Sequence, residues 1–286
     1  MKFSRVLPAA AVSVFTLWAN TTLALDIQTY NAADKGIFPV SSELIVGQQE
    51  AILVDAQFDT ANATRLVEMI RASGKKLTTI YISGGDPDYY FGVPTIKAAF
   101  PDAKVIASHH VVEHINKTKD AKLAYWGPIL GASAPASVMV PAIDDRTELT
   151  LDGETIEVKH INTEDAYLWV PSQQTVLGGV AVSSALHVWM ADSQTREARD
   201  ARIAVMNEII SLKPKQVIPG HYLGDVPAGA GAAVFTRDYI ARFEANLAKA
   251  ADAAALEQAM KADYPALPVD NGLTISTKVA KGEMSW

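Results

Sequence analysis

Two carboxylates and a phenol stand close together in one glycine-rich stretch of the chain. Asp86, Asp88 and Tyr89 belong to residues 83–92, which read SGGDPDYYFG. Carboxylate oxygens ligate metal ions, and carboxylates and phenols act as general acids and bases. Because glycine, proline and aspartate in this order are also strong turn formers, a plain turn is the alternative interpretation.

The elements on either side of this stretch place it at the end of a strand. The apolar run 77–82 predicts a buried strand, and residues 93–100 predict a short amphipathic helix. In proteins that alternate strands and helices, chemistry is usually built on loops beyond the carboxyl ends of strands. Residues 83–92 are therefore the first candidate for a functional site.

Histidines supply the other candidate chemistry. His221 lies near the end of the apolar run 216–222. His110 and His114 are four residues apart on a predicted helix, a spacing that can hold zinc. Zinc-binding helices with this spacing carry a glutamate general base directly after the first histidine, whereas the residues here are Val-Val-Glu. We therefore interpret this pair as the solvated start of a surface helix.

The rest of the pattern alternates predicted hairpins, helices and short strands. Apolar alternation predicts hairpins over residues 43–55 and 148–158. A loop is predicted where glycine, proline and alanine dominate, over residues 126–135. The remaining predicted elements are helices over 61–73, 196–212 and 234–260, and short strands over 104–108 and 273–276.

The composition is that of a globular protein, and it limits the chemistry. The chain has 286 residues, of which 49% are hydrophobic and 20% charged, with a net charge of −7. This negative charge argues against binding to nucleic acid or to an anionic membrane surface. Because cysteine is absent, a metal ion would need ligands from His, Asp, Glu, Tyr or backbone oxygen.

The first 24 residues predict a secretory signal peptide. Lys2 and Arg5 precede the apolar stretch 6–18, and Thr22 and Ala24 are small residues at the positions that a signal peptidase reads. We expect cleavage after Ala24 and a periplasmic or secreted mature chain that leaves the membrane. An uncleaved N-terminal anchor is the alternative.

The order of these motifs resembles the metallo-beta-lactamase superfamily. In that family a loop after a buried strand carries the pattern His-x-His-x-Asp-His. Its four ligand positions fall on Gly84, Asp86, Asp88 and Tyr89 here, and only Asp88 matches. The family's final histidine ligand matches His221, which follows a short strand as the family motif does.

Two further family positions also differ in this chain. The third histidine ligand of the family falls on His160 or Asn162, since the spacing fits either. The aspartate that bridges two metal ions in the family falls on Val180, which cannot ligate a metal. The family's loop frame is kept, while most of its ligands have changed.

The resemblance implies an α+β fold, an αββα sandwich of the metallo-beta-lactamase type, with residues 25–286 forming one domain that ends in a helical extension. It implies a hydrolase with an altered, mononuclear site for one divalent metal, zinc or the harder iron or manganese, that acts on an ester, lactone or amide-type small molecule. The expected metal ligands are Asp86, Asp88, His160 and His221, and the expected catalytic residues are Asp86, Asp88 and Tyr89.

The alternative is a metal-free binding or scaffold protein that keeps the fold. Gly84 and Val180 favour this alternative, whereas the acidic pair and His221 favour the hydrolase. Two carboxylates and a histidine gathered in one cleft would repel one another or shift their pKa values without a counter-cation. The sequence therefore predicts a positive charge at this site, whatever its source.

Overall fold

The computed structural model describes residues 25–33, 36–268 and 271–286. Its strands form a six-stranded sheet in the order β1-β2-β3-β4-β5-β6, a five-stranded sheet in the order β12-β10-β9-β8-β7, and a small pair β11-β13. The strands are β1 (Asp26–Asn31), β2 (Ser41–Val46), β3 (Glu50–Val54), β4 (Lys76–Ile82), β5 (Lys104–Ala107), β6 (Ala142–Ile143), β7 (Glu148–Leu151), β8 (Glu154–Lys159), β9 (Tyr167–Val170), β10 (Thr175–Leu177), β11 (Ser183–Ser184), β12 (Gln216–Val217) and β13 (His221–Tyr222).

The helices follow the strands in alternation and then dominate the C-terminal region. They are α1 (Thr60–Ser73), α2 (Pro87–Tyr90), α3 (Val93–Ala99), α4 (His109–Leu130), α5 (Arg196–Ser211), α6 (Gly231–Leu247), α7 (Ala253–Asp263) and α8 (Asn271–Ala280). Local signals set the ends of α1. Asp59 accepts a hydrogen bond from the backbone of Asn62, and Gly74 ends the helix in the left-handed conformation.

The alternation of buried side chains along the strands builds four layers. Ile52 and Val54 of β3 face the five-stranded sheet, where they pack with residues such as Leu168. Leu53 points the other way, into a cluster shared with α1, α3 and α4. The outer face of the five-stranded sheet packs Trp169 against α5 and α6. The molecule is therefore an αββα sandwich, as the sequence predicts, with a mixed α+β composition.

Most predicted elements are confirmed, two are wrong, and the helix predicted over 234–260 is divided into α6 and α7. Both hairpins form, as β2-β3 and β7-β8. Residues 126–130, predicted as loop, belong to α4, which contains Pro128 in its last turn. Residues 273–276, predicted as a strand, lie in α8, where Leu273 packs with α6 and α7 and the buried Ser276 accepts a hydrogen bond from the backbone N–H of Met190.

The predicted signal peptide, residues 1–24, lies outside the described residues. In the part of the chain that is described, no helix is long and apolar enough to cross a membrane. The predicted helical extension corresponds to α6, α7 and α8, which share a hydrophobic cluster with the segment before α5.

Candidate functional site

A hydrogen-bond network beneath the site connects the ends of β3 and β4 in one sheet with the end of β10 in the other. Strands β3 and β4 are parallel, so Asp55 and Ser83 emerge side by side at their carboxyl ends. The carboxylate of Asp55 accepts hydrogen bonds from the Ser83 backbone N–H at 2.8 Å and from its Oγ at 2.5 Å. Ser83 Oγ in turn accepts a hydrogen bond from the N–H of Gly179, just beyond β10, at 2.7 Å. This network holds the loop after β4 in place.

The short helix α2 delivers Asp88 and Tyr89 to His221, as the family frame predicts. His221 Nε2 lies 2.7 Å from Asp88 Oδ2, although the two residues are 133 positions apart in sequence. His221 Nδ1 lies 3.3 Å from the hydroxyl of Tyr89. Asp88 and Tyr89 are both buried. Both ring nitrogens of His221 therefore have partners from the chain itself.

Asp86 has a cationic partner that the sequence did not identify. Lys122 of α4 donates a hydrogen bond to Asp86 Oδ1 and lies 2.9 Å from His114 Nε2. His114 Nε2 is 3.7 Å from the same carboxylate oxygen. Partial burial opposes the charge on Asp86, but His114 and the Lys122 ammonium outweigh it and lower the pKa of Asp86 to about 2. The Asp86 carboxylate is therefore ionised, and its negative charge is balanced by the Lys122 ammonium of the same chain.

Helix α4 lies directly over the loop and leaves little space there. A Cβ atom on Gly85 would lie only 2.8 Å from Cδ2 of His114, so the glycine permits this close approach. Between the loop and the neighbouring segments remains a cavity of about 10 Å³, lined in part by Ser83, Tyr89 and Glu164. That volume suits about one water molecule.

A second cation lies beneath Val180. Arg202 of α5 is buried and donates hydrogen bonds to the carbonyl oxygens of Val180, Ala181 and Trp189 at 2.9–3.0 Å. The Asp165 carboxylate is 3.8 Å from Arg202 Nε. The Arg202 guanidinium therefore fixes the backbone around Val180, which the sequence predicts to be the counterpart of the family's bridging aspartate. Neither Arg202 nor Lys122 could be identified as a site residue from the sequence around it. The sequence predicted only that the site needs a positive charge.

The two candidates for the third histidine position have other surroundings. His160 Nε2 is 2.9 Å from Glu208 of α5, and its ring packs near Tyr167. Asn162 lines a shallow surface hollow of about 260 Å³ together with His109 and His110. The structure thus brings Asp86, Asp88, Tyr89 and His221 into one region and pairs His160 with α5 instead.

Comparison with known families accounts for this arrangement. The family model described as "Metallo-beta-lactamase superfamily" matches residues 36–221, more than half of the chain. The chain belongs to the metallo-beta-lactamase superfamily. This assignment agrees with the two-sheet fold and with the positions of the loop after β4 and of His221. Comparison with curated proteins finds no match.

Solved structures of the superfamily share the fold at low sequence identity. A metallo-beta-lactamase family protein from Thermus thermophilus is 17% identical, with a TM-score of 0.59 over 88% of this chain and 91% of that one. DIM-1 metallo-beta-lactamase is 16% identical, with a TM-score of 0.54 over 77% and 98%. FIM-1 from Pseudomonas aeruginosa, in a mono-zinc form, is 14% identical, with a TM-score of 0.51 over 76% and 90%.

The donor set of this chain does not fit the metal centre that the superfamily implies. Zinc sites in proteins use at least three protein ligands. Among the described residues, no group of three or more His, Cys, Asp or Glu side chains is placed to hold a metal ion. The Asp86 carboxylate is hydrogen-bonded to Lys122, and the Asp88 carboxylate is hydrogen-bonded to His221. The roles predicted for these residues as ligands or catalysts stay predictions.

Proposed function

We propose that this chain is an exported, non-hydrolytic member of the metallo-beta-lactamase superfamily that acts as a binding protein. One observation carries the proposal: each acidic residue of the loop is already paired within the chain. Lys122 neutralises Asp86, and His221 closes on Asp88 at 2.7 Å. The site is held together by Lys122 and His221 in the place where relatives use a metal.

The Asp88–His221 contact has a direct consequence for metal binding. A histidine that donates to a carboxylate carries a proton on that nitrogen, whereas a metal ligand must present a lone pair there. Binding a metal at Asp88 and His221 would therefore require their hydrogen bond to break. Gly84 and Val180, at two of the ligand positions, have no side-chain donor. Few metal–ligand bonds would therefore form to compensate for the broken hydrogen bond.

Metal content tests this proposal. The mature chain, purified without added metal and then incubated with zinc, iron or manganese and desalted, is analysed by mass spectrometry beside Asp88→Ala. We expect far less than one equivalent of metal in both proteins. About one equivalent in the unmodified chain, lost in Asp88→Ala, would overturn the proposal.

The second candidate function is a hydrolase with one altered divalent metal acting on an ester, lactone or amide-type small molecule. The closeness of Asp88, Tyr89 and His221 favours it, because these residues occupy the family's second metal position. Turnover of such substrates is measured with and without zinc, iron or manganese. Metal-dependent turnover that Asp88→Ala abolishes would support the hydrolase and displace the first proposal.

A further inference from the structure

We propose that Asp86 and His114 form a binding site for a primary ammonium group, which Lys122 fills in the structure and which a small alkylamine takes when α4 lifts. This inference rests on the proposed function, because it assigns a ligand class to the same acidic loop. The first supporting observation is the contact itself. The Lys122 ammonium donates to a carboxylate oxygen of Asp86 and meets His114 Nε2 at 2.9 Å.

The chemistry of this contact selects an alkylammonium ion. An ammonium group is a compact cation with three hydrogen-bond donors, and here it meets a carboxylate and an imidazole nitrogen. A divalent metal would need more donors than these two side chains offer. The Asp86 and His114 side chains remain 41% and 36% exposed, so a solute can reach both acceptors from solvent.

The way α4 is attached allows Lys122 to leave. Of the 22 residues of this helix, the buried ones are Val111, Val112 and Ile115, all within its first two turns. Along the rest of the helix, Leu123, Trp126 and Leu130 are only partly buried against the same core, and Lys122 adds its contact with Asp86. Because these distal side chains are only partly buried, this part of the helix separates at lower cost than its start, so it can lift while the start stays fixed.

Aromatic side chains beside the loop suit the alkyl part of such a ligand. Trp126 packs edge-on against Phe38 and Phe58, with ring centroids 5.4 Å and 5.2 Å away. Phe58 also stacks on Phe91, which belongs to the loop that carries Asp86. When Trp126 moves with α4, it uncovers this aromatic wall, which favours an apolar chain and a nearby cation.

Chemical rescue of Lys122→Ala in the mature chain tests the site. Removing the tethered ammonium should lower Tm by about 3 °C, the shift expected when a domain of this size loses one partly exposed ion pair. Butylammonium at high millimolar concentration should restore most of that loss, and neutral 1-butanol should not. The unmodified chain should respond weakly, because Lys122 competes for the same acceptors.

Two further variants define the specificity of the rescue. Lys119→Ala removes a lysine on the same helix whose ion-pair partner, Asp120, is 90% exposed; butylammonium should leave its Tm unchanged. Lys122→Ala with Asp86→Asn removes the carboxylate and should abolish the rescue. Equal rescue by butanol, or rescue that survives Asp86→Asn, would overturn the ammonium site.

Zinc in place of butylammonium separates this inference from the proposed function. Stabilisation of Lys122→Ala by zinc but not by the amine would overturn the ammonium site. The proposed function would still be decided separately, by the metal content of the unmodified chain. Amine rescue together with a full equivalent of metal in the unmodified chain would support the site and overturn the metal-free proposal.

Discussion

The ring of Tyr89 occupies the space in which a side chain at Gly84 would begin. A Cβ atom on Gly84 would lie 2.7 Å from Cδ2 of Tyr89 and 2.9 Å from its Cγ and Cε2. These two residues stand at the first and fourth ligand positions of the family's loop. In this geometry the Tyr89 ring and any side chain at position 84 exclude each other, so the two positions are coupled by packing.

Replacement of Gly84 by alanine should destabilise the fold through this collision. Overpacking a buried site costs about 1–3 kcal/mol, and the free energy of unfolding in urea should fall by that amount. Gly127→Ala is the matched control, because a Cβ there meets nothing within 4 Å and alanine favours a helix. In a double-mutant cycle, Gly84→Ala should cost less when Tyr89 is also alanine; additive losses would contradict the coupling.

Replacement of Arg202 by methionine should be far more damaging than the same change at Arg196. Arg202 is buried and satisfies three backbone carbonyl groups, which methionine would leave unpaired. We expect a loss of about 3–5 kcal/mol in unfolding free energy. Arg196 lies on the same helix in an exposed ion pair with Asp200, so its replacement should change stability by less than about 0.5 kcal/mol. Comparable small losses would show that Arg202 does not hold this segment.

His221→Ala should destabilise the protein without any metal present. The change leaves the buried Asp88 carboxylate without its partner, at a cost of about 2–3 kcal/mol. The exposed His109 offers the control variant His109→Ala. Thermal unfolding in the presence of a chelator makes the comparison. If chelator treatment of the unmodified chain reproduced the His221→Ala loss, a bound metal would be the stabilising element instead.

Stability should fall as the pH rises from about 4 to above 7. Burial raises the pKa of Asp55 to about 7, and burial together with the Asp55 charge raises the pKa of Glu43 well above its usual range. The folded state therefore binds these protons more tightly than the unfolded state. The stabilisation from both groups is complete below about pH 4. The Asp55 contribution, on the order of 4 kcal/mol, is lost as the pH rises through 7, and the Glu43 contribution also decreases as the pH rises above 4.

Glu43→Gln isolates one part of this pH effect. The amide cannot ionise, so the stability of the variant relative to the unmodified chain should improve from pH 5 to pH 8. Urea unfolding at the two pH values gives the difference. A constant difference would mean that Glu43 does not titrate between the folded and unfolded states.

Local sequence patterns determined the elements and the frame of the site. Period-2 alternation predicted both hairpins, and the strand before the loop placed Asp86 and Asp88 at a sheet edge. The order of motifs then predicted that Asp88 and His221 lie at one site, and their side chains are in contact. These features were readable because each depends on residues within one strand, turn or helix, or on a frame that the superfamily shares. Where composition misled, at 126–130 and 273–276, tertiary packing overrode it.

Only the tertiary structure decided which charges meet. The sequence predicted a positive charge at the acidic loop, but Lys122 reaches Asp86 because α4 crosses the loop, and the two residues are 36 positions apart. Arg202 reaches Val180 because α5 packs on the outer face of the second sheet. Long cationic side chains have no preferred partner in sequence. Their partners follow from where each helix lies, which is set by the apolar faces that it buries.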